Sequence, residues 1–525
     1  MRDVIVIGGG VNGLVAGALL ARAHLATLIL DRQPVPGGAA ITGELAPGFR
    51  APTLSHALGP VHAAVARSLR LDRANITFVT PEPALTTLGR DGQFIVFHRD
   101  VVLTAASIHR LSPADAARWA EFVRTLERIA GVLGASHRQA PPAVDRPIAR
   151  QWWQLLSLVR HARQLRHRDQ TRLARWLPMS VADLLDEWFE NDLLKAAIAA
   201  HAIFGTLAGP RSGGTGGRLL QCMADDPVPV GSGATAIGGP GALTQGLVGI
   251  AERAGATIRP NARVVRILTV AGRAAGVALE DGEEIIAESV VSAVDPRQTF
   301  LLLTDPAALP PTFVQRMRQF RARGVTAKIN LALSSAPVFP ALAGDELPLR
   351  GRLLIAPELD YLERAYDAAK YGDLSDEPWL ELSIPTFGDP TLAPAGQHVM
   401  SVYVHFAPRH LSDATWTDMA DAVYRRAIGV LDAHAPGLET LVIARQVITP
   451  EDLETQWGLS GGHIFHGEPA LDQSWIARPL LGWARYVTPI DGLYLAGAGA
   501  HPGGGLTGLP GWLAAQTLRE DLRKK

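Results

Sequence analysis

Val4-Ile5-Val6-Ile7-Gly8-Gly9-Gly10-Val11-Asn12-Gly13 decides the fold. Four β-branched residues in a row read as a buried parallel strand. Gly8, Gly10 and Gly13 then fill the G-x-G-x-x-G pattern. From Asn12 to His24 small and apolar residues recur at helical spacing, Leu25 to Leu30 reads as a second strand, and Asp31 closes it. Strand, glycine turn, helix, strand and acid follow in the order of a dinucleotide site. Gly8 permits the tight turn, Gly10 lets the backbone approach a pyrophosphate, and Gly13 lets the helix lie close on the sheet. Open N–H groups at the helix start (Val11, Asn12, Gly13) hold the pyrophosphate charge with the dipole behind them. Asp31 sits where a carboxylate can accept hydrogen bonds from both adenosine ribose hydroxyls. The same charge disfavours a 2′-phosphate, and so NADP.

Beyond Asp31 come Arg32, then Gly37-Gly38-Ala39-Ala40-Ile41-Thr42 and Pro47-Gly48-Phe49. Here the chain resembles the large flavoprotein group of phytoene desaturases and amine oxidases, which carry acid, Arg or Lys, a short spacer and Gly-Gly after the nucleotide fold. Gly-Gly-Ala-Ala followed by Pro-Gly-Phe looks most like the subgroup typified by pyridine nucleotide-disulfide oxidoreductase domain-containing protein 2. Ala39 departs from the Gly-Gly-Arg of many phytoene desaturases. The tail is similar to the same group. Ile490 to Gly499 is a strand running into a glycine turn, His501 to Gly511 is glycine-rich, and Trp512 to Leu522 reads as a helix. In the group this unit closes the flavin site, the helix start facing the isoalloxazine ring. The resemblance implies FAD held by Gly8, Gly10, Val11, Asn12, Gly13, Asp31, Arg32, Gly37, Gly38 and Ala39, with Gly497, Gly499, Gly504, Leu506 and Thr507 at the ring end. Val264 would back the adenine.

Composition narrows the rest. The chain has 525 residues, of which 47% are hydrophobic, ample for two or more cores. A net charge of −1 gives no electrostatic reason to expect nucleic acid. Cys222 is the single cysteine, which excludes a disulfide scaffold, a cysteine zinc site and a redox-active CxxC. Disulfide reductases share this flavin fold, and this chain is not one. No apolar run reaches the ~18 residues of a membrane span. The first strand begins almost at once, so a cytoplasmic, non-secreted protein is expected.

The expected architecture is α/β, a discontinuous Rossmann-like FAD-binding domain with an inserted sheet-plus-helices substrate domain. Residues 1–75, 231–300 and 476–525 would build the first; 76–230, with a helical cap, and 301–475 the second. Ala84 to Leu88 and Gln93 to His98 alternate like a hairpin around Gly89 to Gly92. Ser112-Pro113 carries the N-cap and first-turn signature of a long helix. In 150–175, Trp152, Leu155, Leu156, Val159 and Ala162 form one apolar stripe flanked by arginines. Such a stretch suits a membrane surface, an oligomer contact or a buried cap. Thr326 to Leu333, Leu380 to Ile384, His398 to Phe406 and Leu441 to Ile448 read as strands of the second sheet, and Asp413 to Ala433 as a helix.

Flavin carries the hard chemistry, so no nucleophilic triad is expected and none is visible. Lys328 stands alone as an ionisable residue in an apolar strand. Amine oxidases place a lysine near flavin N5, and Lys328 either matches it or snorkels from a strand end. His56 either faces the substrate or is a satisfied loop histidine. His501 either hydrogen-bonds flavin or substrate, or fixes its turn. His463, His466 and Glu468 form a sparse metal-like set that reads as structural, so no metal is expected. Trp457, Phe465, Trp475, Trp483 and Tyr486 either line a substrate tunnel or pack a core. The expected activity is FAD-dependent oxidoreduction of a small hydrophobic, isoprenoid-like molecule at a CH–CH bond. A CH–NH oxidase and a membrane-associated flavin-containing assembly protein are the alternatives.

Overall fold

The computed structural model describes residues 2–142, 160, 163 and 165–524. The chain opens with β1 (Arg2–Ile7), α1 (Val11–Arg22) and β2 (Thr27–Leu30), then a short hairpin of β3 (Thr42–Ala46) and β4 (Phe49–Pro52). The next hairpin, β5 (Leu85–Leu88) with β6 (Phe94–Phe97), lies where the alternation puts it. Helices follow: α2 (Pro113–His137), α3 (Asp192–Ile203), α4 (Thr215–Asp225) and α5 (Gly241–Arg253). Ser112 caps α2, its side chain accepting from the Asp115 N–H with Pro113 in the first turn. Then come β7 (Thr257–Arg259), β8 (Val264–Val270), β9 (Arg273–Leu279) and β10 (Glu284–Ser292). The later elements include β11 (Thr326–Leu333), β12 (Arg352–Ile355), β13 (Leu380–Ser383), β14 (His398–His405), α6 (Trp416–His434), β15 (Val442–Ile448), β16 (Leu493–Leu495) and α7 (Leu509–Leu522).

Two seven-stranded sheets organise these elements. The first runs β8-β9-β10-β1-β2-β7, and β16 pairs with β10. β1 is parallel to both β10 and β2, so it lies in the sheet interior, and Val4, Ile5, Val6 and Ile7 are all buried. That position explains the unbroken apolar run. The second sheet runs β15-β11-β14-β13-β12-β5-β6. β11 to β14 present alternate residues to two faces. Ala327, Ile329, Leu331, Leu353, Leu380, Leu382, Met400, Val402 and Val404 join one apolar core. The opposite face is polar and buried: Thr326, Lys328 and Asn330 on β11, Ser401 and His405 on β14, Glu381 and Ser383 on β13.

The stripe residues Trp152, Leu155, Leu156, Val159 and Ala162 lie outside the described residues. The helix that follows, His167–Trp176, turns part of its basic flank inward. Buried Asp169 pairs with Arg128 at 3.0 Å and Arg172 at 3.3 Å, and Trp176 is fully buried. Among the described residues no helix is long and apolar enough to cross a membrane.

Candidate active site

One cavity of about 830 Å³ runs from the turn after β1 to the polar face of the second sheet. Its first end is made by backbone. α1 starts at Gly10 with no side-chain cap and no acid in its first turn, so its leading N–H groups stay open. A Cβ on Gly13 would overlap the Gly8 carbonyl oxygen, so only glycine brings the helix this close to the strand. Asp31 is tied by both oxygens to the turn, Oδ2 accepting from the Gly9 N–H at 2.7 Å and Oδ1 from the Gln33 N–H at 2.8 Å. Burial raises its pKa against those two hydrogen bonds. Arg32, Gly38, Ala39 and Val264 complete this wall. Gly37 does not line the cavity; it turns the chain behind it, against Ile41 and Thr244.

At the same carboxyl edge of the first sheet, where Ile7, Ser292 and Leu495 stand level, the loop after β16 supplies Ala498, Gly504, Gly505, Leu506 and Thr507 to the cavity. Gly497 and Gly499 stand behind that wall, where a Cβ would strike the Ala293 and Val294 carbonyls or Pro296. α7 starts after Gly508, at φ +74°, and a Cβ on its Gly511 would overlap the Asn12 carbonyl. The N-termini of α1 and α7 therefore meet at the cavity. The open start of α1, a glycine-only backbone approach and a carboxylate at the strand end fit a dinucleotide.

The second sheet supplies side chains. Register places Lys328 opposite Tyr403, and Tyr403 opposite Glu381. Arg352 is opposite Ser383, on the same face. Lys328 Nζ lies 3.0 Å from His56 Nδ1, His56 Nε2 lies 3.2 Å from Glu381 Oε1, and Arg352 donates to Glu381 Oε2 at 2.7 Å. The lysine ammonium position is also 4.0 Å from the centre of the Tyr403 ring. His56 is held there because its loop is stitched to the sheet: Asn330 Nδ2 donates to the Thr53 carbonyl and Tyr403 O–H to the Leu54 carbonyl. Lys328 does not snorkel. It is 2% exposed, in mid-strand, with β14 on one side and β15 on the other. Burial lowers its amine well below the usual lysine value, with Glu381 a partial offset. Burial likewise takes His56 down to about 4, with Lys328 adding to it. Burial works to raise the Glu381 carboxyl, but Arg352 and His56 outweigh it and hold it ionised.

Other sequence candidates are placed elsewhere. His501 lies off the cavity wall; its Nε2 is 3.2 Å from the Ser136 carbonyl and its own carbonyl accepts from Tyr486 O–H. It fixes the turn. Glu468 is held by Arg321 and Arg323, and His463 Nδ1 accepts from the Phe465 N–H, so these are scaffold contacts. The aromatic group divides: Trp457 and Phe465 line the cavity, whereas Trp483 packs edge-on against Phe313 and Tyr486 is buried in the first core. Glu381, Arg352, Tyr403, His201 and Arg218 also face the cavity. The sequence alone does not single them out; polar–apolar alternation carries a signal for Glu381 on β13 and Tyr403 on β14, but not for Arg352, His201 or Arg218.

Residues 6–70 match the family model described as NAD(P)-binding Rossmann-like domain. Pyridine nucleotide-disulfide oxidoreductase domain-containing protein 2 of Rattus norvegicus is 33% identical over 99% of this chain and 94% of its own length. A phytoene desaturase (lycopene-forming) of Pantoea ananas is 25% identical over 99% of this chain and 100% of its own. Cyclohexylamine oxidase from Brevibacterium oxydans shares the fold, with a TM-score of 0.61 at 15% identity over 99% of each chain. With a third of its residues shared along nearly its whole length, the chain belongs to the pyridine nucleotide-disulfide oxidoreductase domain-containing protein 2 family.

Proposed function

We propose that this protein binds FAD and uses it to desaturate, saturate or isomerise a largely apolar, isoprenoid-like molecule. The observation that carries this reading is the continuity of the cavity, which joins the glycine cradle and Asp31 to the buried Lys328–His56–Glu381–Arg352 chain. The Gly8–Gly13 backbone and the start of α1 would hold the pyrophosphate, Asp31 the adenosine ribose, and the α7 start the flavin end. Bound there, FAD supplies a two-electron acceptor for a hydride from a substrate carbon.

The chain's own residues handle the proton and exclude water. In its neutral form, which burial favours, Lys328 can accept a proton, and the ammonium so formed faces a ready counter-charge, because His56 passes its hydrogen bond on to Glu381. Arg352 keeps Glu381 ionised and donates as well to the Val230 and Gly231 carbonyls, fixing the far end of the relay. Phe204, Phe465 and Tyr403 wall the space around it. Lys328 also favours a second reading, oxidation of a CH–NH bond, because an amine substrate must lose a proton before its carbon can give up a hydride.

Purified protein is expected to be yellow, with one FAD per chain. Anaerobic addition of isoprenoid and amine candidates tests the rest. Bleaching by an isoprenoid supports the first reading and bleaching by an amine the second. A colourless protein that takes up no added flavin overturns both.

A further inference from the structure

The α3–α4 end of the cavity carries donors that the protein itself leaves unmet. The side chain of Arg218, one turn into α4, makes no hydrogen bond and no ion pair among the described residues, and its Nε is buried. Its guanidinium carbon lies 6.0 Å from the centre of the Phe465 ring. His201, on α3, lines the same wall with Nε2 buried and unpartnered. Burial holds that imidazole neutral, down to about 3, so one ring nitrogen carries a proton to donate. The Arg352 Nε and the Thr326 Oγ1, further along the wall, are unpartnered too.

Nearby acids are already engaged. Asp225 accepts from His137 Nδ1 at 2.8 Å, and Asp226 accepts from the Ser232 N–H at 2.7 Å. Glu381 is shared between His56 and Arg352. Buried polar groups in native proteins are hydrogen-bonded, and a guanidinium fork matches an oxyanion with two parallel bonds. Beside Arg218 the wall is apolar, formed by Phe204, Ile464 and Phe465. A pure hydrocarbon here would desolvate Arg218 and offer it nothing.

Taking this cavity as a flavin–substrate pocket, we propose that its substrate is an amphipathic oxyanion. A carboxylate or phosphate head is held by Arg218 with His201 Nε2 donating beside it, and the apolar body lies over Phe204, Ile464 and Phe465 toward Lys328. Arg218 is then the residue that selects the substrate class.

The test uses FAD-loaded protein with octanoate, octyl phosphate, octanol and octylamine, read by the flavin difference spectrum and by thermal stabilisation. At least one of the two anions is expected to bind about tenfold or more tighter than octanol and octylamine, and the better anion identifies the head. R218M should lose that preference while binding octanol as before, with FAD content unchanged; R218K should recover part of it. Equal binding of octanoate, octyl phosphate and octanol overturns the proposal, as does an R218M protein that keeps the anion preference. A changed flavin midpoint potential in R218M without loss of anion preference assigns Arg218 to the flavin and also overturns it. Failure to take up FAD would count against the flavin reading alone, since anion protection against heating, lost in R218M, reports on Arg218 without a flavin.

Discussion

Lys328 matters because of where its charge would have to go. Burial in mid-strand disfavours the charged form, so the amine titrates well below the ordinary lysine value and exchanges its proton through the cavity. Lys328→Met keeps the length and removes the base. FAD content should be unchanged, while bleaching by any substrate that reduces the wild type should slow by about 10²–10⁴-fold. The wild-type pH profile of that bleaching should fall away on the acid side, at a pH well below the ordinary lysine value, and Lys328→Met should lose this limb. Equal rates in variant and wild type would remove Lys328 from the chemistry. The sequence marks Lys328 as unusual but cannot show its depth, which depends on β11 having a neighbour on each side. Nor can it show the partner, because His56 lies 272 residues away in the chain. What could have been read is the alternation: Thr326, Lys328 and Asn330, then Ser401, Tyr403 and His405, each set spaced by two between apolar residues. A polar face on central strands has to look onto a cavity or a partner.

At the scale of elements, two helix N-termini and two glycines define the nucleotide end. Gly13 sets the distance from α1 to β1, and Gly511 sets the distance from α7 to α1. Gly13→Ala should push α1 off the Gly8 carbonyl and cut FAD retention at least tenfold, with a stability loss of about 1–3 kcal/mol. Gly511→Ala strikes the Asn12 carbonyl instead, and should loosen flavin while leaving a folded first sheet. Flavin content after gel filtration and thermal melts of both variants check this; full retention in Gly13→Ala would contradict the cradle. This end is legible in sequence because its signal is local: strand, turn, helix, strand and acid fall within residues 1–31. The second sheet is less so. β12 is four residues long, and its neighbour β5 lies 267 positions earlier, so only folding reveals the pairing of Leu85 with Arg352. The β3–β4 hairpin is as short and as hidden in the sequence.

Across the whole molecule, buried ionisable groups couple the two sheets and their loops to pH. The first sheet draws its strands from 2–30, 257–292 and 493–495, which leaves long intervening stretches to build the second body. Among the described residues the second sheet has no strand–glycine turn–helix unit of its own, so NADH and NADPH should reduce the flavin slowly; rapid stoichiometric bleaching by either would contradict this. His56, His405, His463 and His501 are each buried. Burial lowers His56 and His463 to about 4, and His405 and His501 to about 3. In the unfolded chain each takes up its proton near pH 6.5, while the folded protein still refuses it. The unfolded state thus binds more protons across that interval, so stability is fully present above pH 6.5 and is lost as pH falls toward 4 and then 3. Each histidine contributes a slope of about 1.4 kcal/mol per pH unit, or roughly 2 kcal/mol lost by pH 5. Glu381, held ionised by Arg352, adds a loss in the same direction at lower pH, below the ordinary glutamate value. Thermal melts of the FAD-loaded protein should therefore show a midpoint that is flat from pH 7 to 8 and drops steeply between 6.5 and 5. Replacing His405, which stacks on Trp379 at 3.7 Å with both ring nitrogens unpartnered, by Phe should flatten that drop by one histidine's share. A midpoint unchanged from pH 7.5 to 5 would mean that these imidazoles are solvated in the native protein, and that the polar face of the second sheet is open to water.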